Sequence, residues 1–583
     1  MQEVTETKLL RGKLTDKETV HQLNSLRHLF STTVGPYGGI KLLRNNCGGH
    51  VTLTSSSSRL LAALRPTNPL ARLIIEACSK HSHTYGDGAL FMAHFILILI
   101  DKALKLDLDH RLITKVNSFL LELFLSYLKS DDFSCKMAVE ISDVNSLCQV
   151  ASTMLSSKPL YQLDEQLLKL MSSVLLEAFI RSLPSERQDS SLRPILDNIH
   201  IIGIPGEETH NSFCCEGLLL EATNIKEVLS WQTQRESLEN ICTVVVNVSM
   251  AGDSIELPQL TYASTSLKEL EQSFLSHMES FCSELISKGI RILFCQKVVH
   301  PCLKDQLRRN GVLVLDRLGA LLCSKVINLT GSVPISSFSS ACSPDQLGKI
   351  SKFSVMDVFG KQWLHLNQIS SSLTTLVVCS QMEEQLEELK VNCNNVMLAF
   401  QHLLRTPAVL HGGGCWQFTL ANKLRVEVSE NLESFSSKLD CSESQLLQLC
   451  DYLCTSLEQA VSPSSQQSKK CFTHPSAGHL WIQDDHEVNA EKTCSCGVLC
   501  CSLSDLKLQP LEHSPSFDRF SKKELYGSYK PLDTISSSEP PKKPLLMDCF
   551  IPWQTAVEIS VLLANMALST NQFIFDTNCK PST

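Results

Sequence analysis

The sequence of 583 residues has few aromatic residues, little charge and no excess of positive charge. Aromatic residues make up 6%, charged residues 19% and hydrophobic residues 43%, a balance typical of folded globular proteins rather than disordered ones. Lysine and arginine number 52 against 61 aspartate and glutamate residues, which gives a net charge of −9. This acidic balance argues against nucleic acid or an anionic membrane surface as the main partner.

Long apolar runs are also scarce. The longest covers residues 89–100, is interrupted by His94 and is too short to span a bilayer, so we expect a buried helix there. Residues 1–11 are polar and charged, which predicts neither a secretory signal nor membrane insertion. A chain of this length exceeds one hydrophobic core and predicts about two to four domains.

Cysteine, by contrast, is abundant, with 25 residues. Most cysteines stand singly inside apolar patterns, as Cys78, Cys148, Cys242 and Cys282 do, and without a secretory signal we expect reduced thiols. A cluster at residues 494–501 offers zinc-type ligands, but its spacing is not the paired Cys-x-x-Cys of zinc ribbons. We predict loop or core thiols and no metal site, with structural zinc as the alternative.

Glycine occurs in three short stretches beside helical patterns, namely Gly35-Pro36-Tyr37-Gly38-Gly39, Gly86-Asp87-Gly88-Ala89 and Gly412-Gly413-Gly414. Glycine permits positive φ and lets the backbone approach an anion, while a following helix presents free N–H groups and the positive end of its dipole. Each stretch alone is also typical of an ordinary turn. Together they predict a binding site for the phosphates of one nucleotide.

These stretches, in this order, resemble those of the group II chaperonins, the eukaryotic cytosolic and archaeal folding machines. Residues 35–43 resemble the family's Gly-Pro-Lys-Gly-Met-Asp-Lys-Met-Leu loop, and residues 409–414 resemble its Val-Val-Pro-Gly-Gly-Gly. The resemblance covers most of the chain. It implies a degenerate nucleotide pocket lined by Gly35, Pro36, Gly38, Gly86, Asp87, Gly88, Gly412, Gly413 and Gly414.

The resemblance implies a multi-domain α plus α/β subunit with helical equatorial, small α/β intermediate and α/β apical domains. In chain order the expected segments are equatorial 1–141, intermediate 142–198, apical 199–365, intermediate 366–405 and equatorial 406–583. The last segment contains a serine- and proline-rich insertion at about 503–544.

Apolar periodicity predicts secondary structure that agrees with this division. A capping box at Thr15-Asp16-Lys17-Glu18 predicts the start of the first helix. β-rich segments at 241–248, 290–294 and 312–315, joined by helical patterns, predict a parallel sheet with covering helices. For the helical patterns between residues 60 and 128, a helix bundle without nucleotide chemistry is the alternative. Further helices are predicted at residues 89–104, 113–128, 163–179, 383–404, 418–426, 443–461 and 552–568.

The chain departs from the family where the resemblance places the family's catalytic groups. Ser55 stands at the position of an Asp that helps place the metal and the attacking water, and Ala89 and Leu90 replace threonines whose hydroxyls face the phosphates. No Asp or Glu occurs in residues 391–411, where the family carries a further catalytic Asp, and Cys415-Trp416-Gln417 offers only an amide in place of a carboxylate.

Phosphoryl transfer to water depends mainly on positioning and charge neutralisation. Losing these acids therefore predicts a protein that is not an enzyme, with no catalytic residues and no required cofactor. Residual ATP or ADP binding as a static ligand stays open, supported by the retained glycines and Asp87.

The resemblance implies a chaperonin-like protein without effective ATP hydrolysis that helps assemble a ciliary trafficking complex, the BBSome. Its expected partners are other chaperonin-like proteins, cytosolic chaperonin subunits and ciliary complex subunits. Its expected location is the cytoplasm and the centrosome or basal body, with the nucleus as a further location. An active ATP-dependent folding subunit of a chaperonin ring is the alternative. The tail after Phe575 lacks strand alternation, so we expect a monomer or a hetero-complex rather than a homo-ring.

Overall fold

The computed structural model describes residues 7–11, 14, 16–34, 38–44, 51–158, 160, 163–184, 195–221, 225–233, 239–251, 267–338, 342–461, 470–474, 479–483, 509–510, 546–570 and 572–576. The chain divides into two compact units. The helical unit comprises Met1–Ser172 and Glu387–Thr583, and the sheet unit comprises Ser173–Leu386. The finer division into five segments stays a prediction.

The described helices are α1 (Lys17–Ser31), α2 (Ser57–Ala63), α3 (Pro69–Tyr85), α4 (Ala89–Lys105), α5 (His110–Lys129), α6 (Val144–Ser156), α7 (Glu165–Arg181), α8 (Ile225–Thr233), α9 (Leu267–Ser287), α10 (Pro301–Arg309), α11 (Gly319–Thr330), α12 (Glu383–Arg405), α13 (Cys415–Glu430), α14 (Leu432–Leu439), α15 (Glu443–Val461) and α16 (Phe550–Ser569). The described strands are β1 (Thr7–Arg11), β2 (Lys41–Arg44), β3 (Val51–Thr54), β4 (Lys136–Ala138), β5 (Ile199–Pro205), β6 (Phe213–Glu216), β7 (Leu218–Glu221), β8 (Glu239–Val246), β9 (Ile292–Cys295), β10 (Leu313–Leu315), β11 (Leu347–Val358), β12 (Lys361–Asn367), β13 (Thr374–Ser380), β14 (Ala408–His411), β15 (Lys470–His474), β16 (His479–Gln483), β17 (Gln509–Pro510), β18 (Met547–Cys549) and β19 (Gln572–Asp576).

The core of the helical unit surrounds α4, which packs against α1, α3, α15 and α16. Almost every α4 residue up to Ile100 is buried, as expected of a helix that is apolar on all sides. This confirms the predicted buried helix at residues 89–100. His94 is its polar exception, with Nδ1 lying 3.4 Å from the Ala460 carbonyl oxygen. Burial lowers the pKa of His94 to about 4, so the ring is neutral in the core.

Most of the predicted helices are confirmed to within a few residues, as α4, α5, α7, α12, α15 and α16 show. The predicted helix at 418–426 lies inside α13, which begins earlier, directly after the triple glycine. The start of α1 also differs from the prediction. Asp16 is the N-cap, and its carboxylate accepts the Thr19 N–H at 3.2 Å, whereas Thr15 lies outside the described residues.

The two ends of the described chain pair with each other in an antiparallel sheet, β1 with β19, in which Thr7 lies opposite Asp576. Asp576, the first residue of the tail expected to lack strand alternation, is the last residue of β19, and the sequence predicts no pairing of the two ends. Residues 577–583 lie outside the described residues. A second two-stranded sheet, β2 with β3, forms a separate hairpin in the same unit.

The sheet unit contains a six-stranded sheet with strand order β10-β9-β8-β11-β12-β7. Strands β8, β9 and β10 are parallel, and α10 connects β9 to β10, which confirms the prediction for the three strands on which it was based. The sheet as a whole is mixed, because β11, β12 and β7 pair antiparallel. Helices α9 and α10 bury one apolar cluster against it and α8 and α11 bury another. All four residues of β9 are buried, as expected of a strand covered on both faces.

Within the described part of the chain, α16 has the length and hydropathy of a membrane span, and half of its most apolar window is buried. Its residues Ala556, Val557 and Val561 belong to the core of the helical unit. A core helix of a soluble fold passes the same length test, so the helix is explained by its packing as the predicted closing helix.

The cysteines singled out in the sequence carry free thiols, with Cys78 and Cys282 buried and Cys148 and Cys242 half-buried. The cluster at 494–501 lies outside the described residues. Of the expected insertion at 503–544, the structure describes only Gln509–Pro510, which form β17.

Candidate nucleotide site

The first glycine stretch is described only in part, because Gly35 and Pro36 lie outside the described residues. Gly38 is buried where the chain leaves α1. Lys41, at the start of β2, donates from Nζ to Thr32 Oγ1 at 2.7 Å, and partial burial lowers its pKa. The described end of this stretch is therefore fixed to the last turn of α1.

The second glycine stretch is the turn between α3 and α4. Gly86 and Gly88 adopt φ of 75° and 76°, which glycine reaches without strain. Asp87 lies between them, and its Oδ1 accepts the Gly88 N–H at 2.7 Å while its Oδ2 accepts the indole N–H of Trp553 at 3.0 Å. A Cβ atom on Gly86 would lie 3.0 Å from the Cα atom of Asn395. The structure thus brings α12 and α16 against this turn.

The α12 residue that faces the turn, Asn395, is an amide. This agrees with the prediction that α12 offers no carboxylate in residues 391–411. A buried histidine of α3, His81, also lies against this turn, with Nε2 3.4 Å from the position of a Cβ atom on Gly88. Burial lowers the pKa of His81 to about 4, so a neutral ring faces the turn.

The triple glycine connects β14 to α13. Gly413 and Gly414 adopt positive φ values of 68° and 90°. Gly414 is the N-cap of α13. Gly412 donates its N–H to the Leu546 carbonyl oxygen at 2.8 Å. The first backbone donor of this stretch is therefore already occupied by the chain itself.

Asp548, in β18, is a carboxylate at this site that sequence reasoning missed. Its Oδ1 lies 3.1 Å from the position of a Cβ atom on Gly412, and its Oδ2 accepts the Trp416 indole N–H at 3.3 Å. Burial, and then the charge of Asp87, raise the pKa of Asp548 to about 8. The pairing of β18 with β14 places Asp548 beside the triple glycine, and no local sequence pattern predicts this pairing.

We expect Asp548 to lower the stability of the helical unit as the pH rises. An unfolded Asp has a pKa of about 3.9, so between about pH 4 and about pH 8 the folded state holds a proton that the unfolded state lacks. The contribution of this group is most favourable below pH 4 and is lost up to pH 8. Asp548→Asn should remove that part of the decline in urea unfolding measured across this range. Identical pH profiles for variant and wild type contradict the assignment.

Ser55, which the resemblance places at an acidic position of the family, contacts the carboxylate of Glu388 in α12. The Ser55 N–H and Oγ both donate to Glu388 Oε1 at 2.8 Å, and Thr54 Oγ1 donates to Oε2 at 2.7 Å. The Glu388 side chain is 0% exposed, and Arg59 NH1 lies 3.9 Å from its Oε2. Residues 391–411 contain no Asp or Glu, but α12 carries a buried glutamate, Glu388, just before this range.

The other substituted positions lie in helix starts. Ala89 is buried in the first turn of α4. Cys415, Trp416 and Gln417 form the first turn of α13 and are all buried, so the side chains that follow the triple glycine belong to the core. The second and third glycine stretches are therefore surrounded by residues of α3, α4, α12, α13, α16 and β18, whereas Thr54 and Ser55 contact α12 at Glu388. These residues all belong to the helical unit.

The chain belongs to the TCP-1/cpn60 chaperonin family, whose sequence model matches residues 26–439. It is similar to the human protein named Molecular chaperone MKKS, with 27% identity over 97% of each chain, and to the mouse protein of that name, with 26% identity over the same shares. Thermosome subunit alpha of Sulfolobus acidocaldarius is 23% identical over 69% of this chain and 72% of that protein.

These similarities confirm the predicted family. Residues 296–301 and 315–319 resemble, within that family, the McKusick–Kaufman/Bardet–Biedl syndrome putative chaperonin, and the MKKS matches over nearly the whole chain confirm that likeness as well.

Proposed function

We propose that this protein is a chaperonin-like protein that acts by binding, without effective ATP hydrolysis, and helps assemble a ciliary trafficking complex, the BBSome. Family membership and the relatives named as molecular chaperones support the chaperone part of this proposal. The observation that carries the loss of hydrolysis is Ser55, a neutral side chain at the family's acidic position, bonded to Glu388 within the fold.

The other groups around the glycine turns support the same proposal. Hydrolysis of ATP needs carboxylates that hold the metal and orient the attacking water. Among the described residues, the α12 residue that lies against Gly86 is Asn395 and not an acid, Ala89 carries no hydroxyl, and the retained Asp87 accepts a hydrogen bond from the Trp553 indole. No cofactor is required for an activity that consists of binding.

We propose that the partners are other chaperonin-like proteins, cytosolic chaperonin subunits and ciliary complex subunits, in a hetero-complex rather than a homo-ring. Chaperonin subunits meet through chain ends and a hairpin of the equatorial domain. The β2–β3 hairpin exposes two apolar side chains, with Leu42 at 65% and Val51 at 48%, and exposed apolar patches commonly mark protein contacts. The proposed locations are the cytoplasm and the centrosome or basal body.

Purification of the full-length, tagged chain from ciliated cells, followed by mass spectrometry at moderate salt, tests this proposal. Chaperonin-related and ciliary-complex subunits should be recovered, and the hairpin variant Leu42→Asp/Val51→Asp should recover less of them. Leu562→Asp, which places the same charge at an exposed leucine of α16, is the control and should leave recovery unchanged. Absence of both classes of subunit, or a homomeric double ring, contradicts the proposal.

A further inference from the structure

We propose that the nucleotide site of this chain is filled by its own aromatic side chains, with the Trp553 indole hydrogen-bonded to Asp87, and that the site therefore binds neither ATP nor ADP. The inference rests on the proposed function but goes further, because a site without hydrolysis can still bind nucleotide. The first observation is the hydrogen bond from Trp553 Nε1 to Asp87 Oδ2 at 3.0 Å. The carboxylate retained from the family is therefore held by an indole N–H supplied from α16.

A second indole holds the second carboxylate of the site. Trp416 donates to Asp548 Oδ2 at 3.3 Å, and its ring meets that of Trp553 edge to face, with centroids 5.9 Å apart. Trp553 also packs on Phe91 of α4 at 5.0 Å between centroids. The three rings join α13, α16 and α4 in one aromatic row, and such contacts stabilise a packing beyond the area they bury.

The backbone seat at the start of α4 is covered by the same helix that carries Trp553. From the position of a Cβ atom on Gly88, the Ala556 Cβ atom lies 3.5 Å away and the Pro552 carbonyl oxygen 3.6 Å away. An anion at this helix start would approach that carbonyl oxygen, which repels it. The Gly88 N–H is also taken, by Asp87 Oδ1.

The charge of Asp87 opposes a phosphate as well. Asp87 and Asp548 interact closely enough for the charge of one to raise the pKa of the other, and neither is bonded to a cationic side chain among the hydrogen bonds of the described residues. Two cationic side chains from the neighbourhood of the first glycine stretch and of Ser55 have partners of their own, since Lys41 donates to Thr32 and Arg59 pairs with Glu387. A triphosphate entering here would meet the Asp87 carboxylate, the protonated carboxyl group of Asp548 and apolar rings.

Calorimetric titration of the full-length chain with magnesium–ADP and magnesium–ATP at millimolar concentrations is the direct test. No heat of binding is expected. Saturable binding of either nucleotide to the wild-type chain overturns the inference, even if no phosphate is released. Because the proposed function fails only when hydrolysis or the wrong partners are observed, the two failures are distinguishable.

A double-mutant cycle tests the role of the Trp553 indole without relying on nucleotide. Trp553→Phe keeps an aromatic ring, although a smaller one, and removes the N–H that donates to Asp87, which should shift the folding equilibrium of the chain toward unfolding by about tenfold or more. Adding Asp87→Asn, which removes the carboxylate charge, should recover most of that shift. Additive effects of the two substitutions overturn the inference.

Trp231→Phe is the matched control, because Trp231 donates from Nε1 to the Gly311 carbonyl oxygen at 3.0 Å in the sheet unit. The same loss of an indole hydrogen bond occurs there with no carboxylate partner. Its effect should be independent of Asp87→Asn. If the coupling free energy between Trp231→Phe and Asp87→Asn equals that between Trp553→Phe and Asp87→Asn, this counts against a specific role for Trp553.

Discussion

Replacing Arg425 by alanine is expected to destabilise the helical unit by about 3–5 kcal/mol, the range found when one partner of a buried ion pair is removed. Arg425 lies in α13 and is 1% exposed. Its guanidinium pairs with Glu458 through NH1 and with Asp451 through NH2, the latter at 3.4 Å. Removing it leaves two carboxylates of α15 in the core without the guanidinium that balances them.

The neighbouring cation cannot take over this role. Lys102 of α4 donates from Nζ to Thr455 Oγ1 at 2.9 Å, and burial lowers its pKa to about 8 despite the opposing influence of Glu458 and Asp451. Burial already disfavours the charged form of Lys102, so this lysine would balance little of the negative charge on Asp451 and Glu458. The carboxylates would therefore become protonated or drive local opening of the core.

Urea unfolding of the full-length chain measures the effect of Arg425→Ala. The control is Arg72→Ala, which removes an exposed pair with Glu76 at 2.8 Å and should cost about 0.5 kcal/mol or less. The triple variant Arg425→Met/Asp451→Asn/Glu458→Gln removes all three charges and should recover much of the loss. Equal losses in Arg425→Ala and Arg72→Ala contradict the burial of this network.

Ser55→Asp, which restores the family's acid, is expected to destabilise the chain by about 3 kcal/mol or more rather than to restore activity. The Ser55 Oγ lies 2.8 Å from Glu388 Oε1 as a donor. An aspartate there loses the donor and places a second carboxylate against a fully buried one. Like charges in a buried site repel strongly.

The companion substitution Glu388→Gln should relieve most of the Ser55→Asp penalty, because an amide both lacks the charge and donates a hydrogen bond. Ser58→Asp serves as the control, since it adds the same charge to the half-exposed first turn of α2, where an acid is favourable. Urea unfolding compares the three variants. A Ser55→Asp chain as stable as Ser58→Asp contradicts the contact with Glu388.

Much of the helical unit could be predicted from the sequence because its signals are local. The all-apolar pattern of α4 predicts burial on every side, and Gly86 marks the end of α3 through its positive φ. The three glycine stretches likewise predict turns beside helices. In the sheet unit, short apolar runs separated by a helical pattern predicted the parallel pair β9 and β10.

The missed parts of the site depend on partners far apart in the chain. Trp553 lies 466 residues after Asp87, and Glu388 lies 333 residues after Ser55, so neither contact follows from a local pattern. The pairing of β1 with β19 joins the two ends for the same reason. The sequence shows which positions differ from the family's pattern. The side chains that hydrogen-bond to the residues at the site could be identified only from the structure.

Release of inorganic phosphate from ATP by the purified full-length chain tests the central claim most directly, with a thermosome of the same family as the positive control. We predict a rate no higher than that of a blank without protein. Turnover at a rate similar to the thermosome, and abolished by Asp87→Asn, would contradict the account.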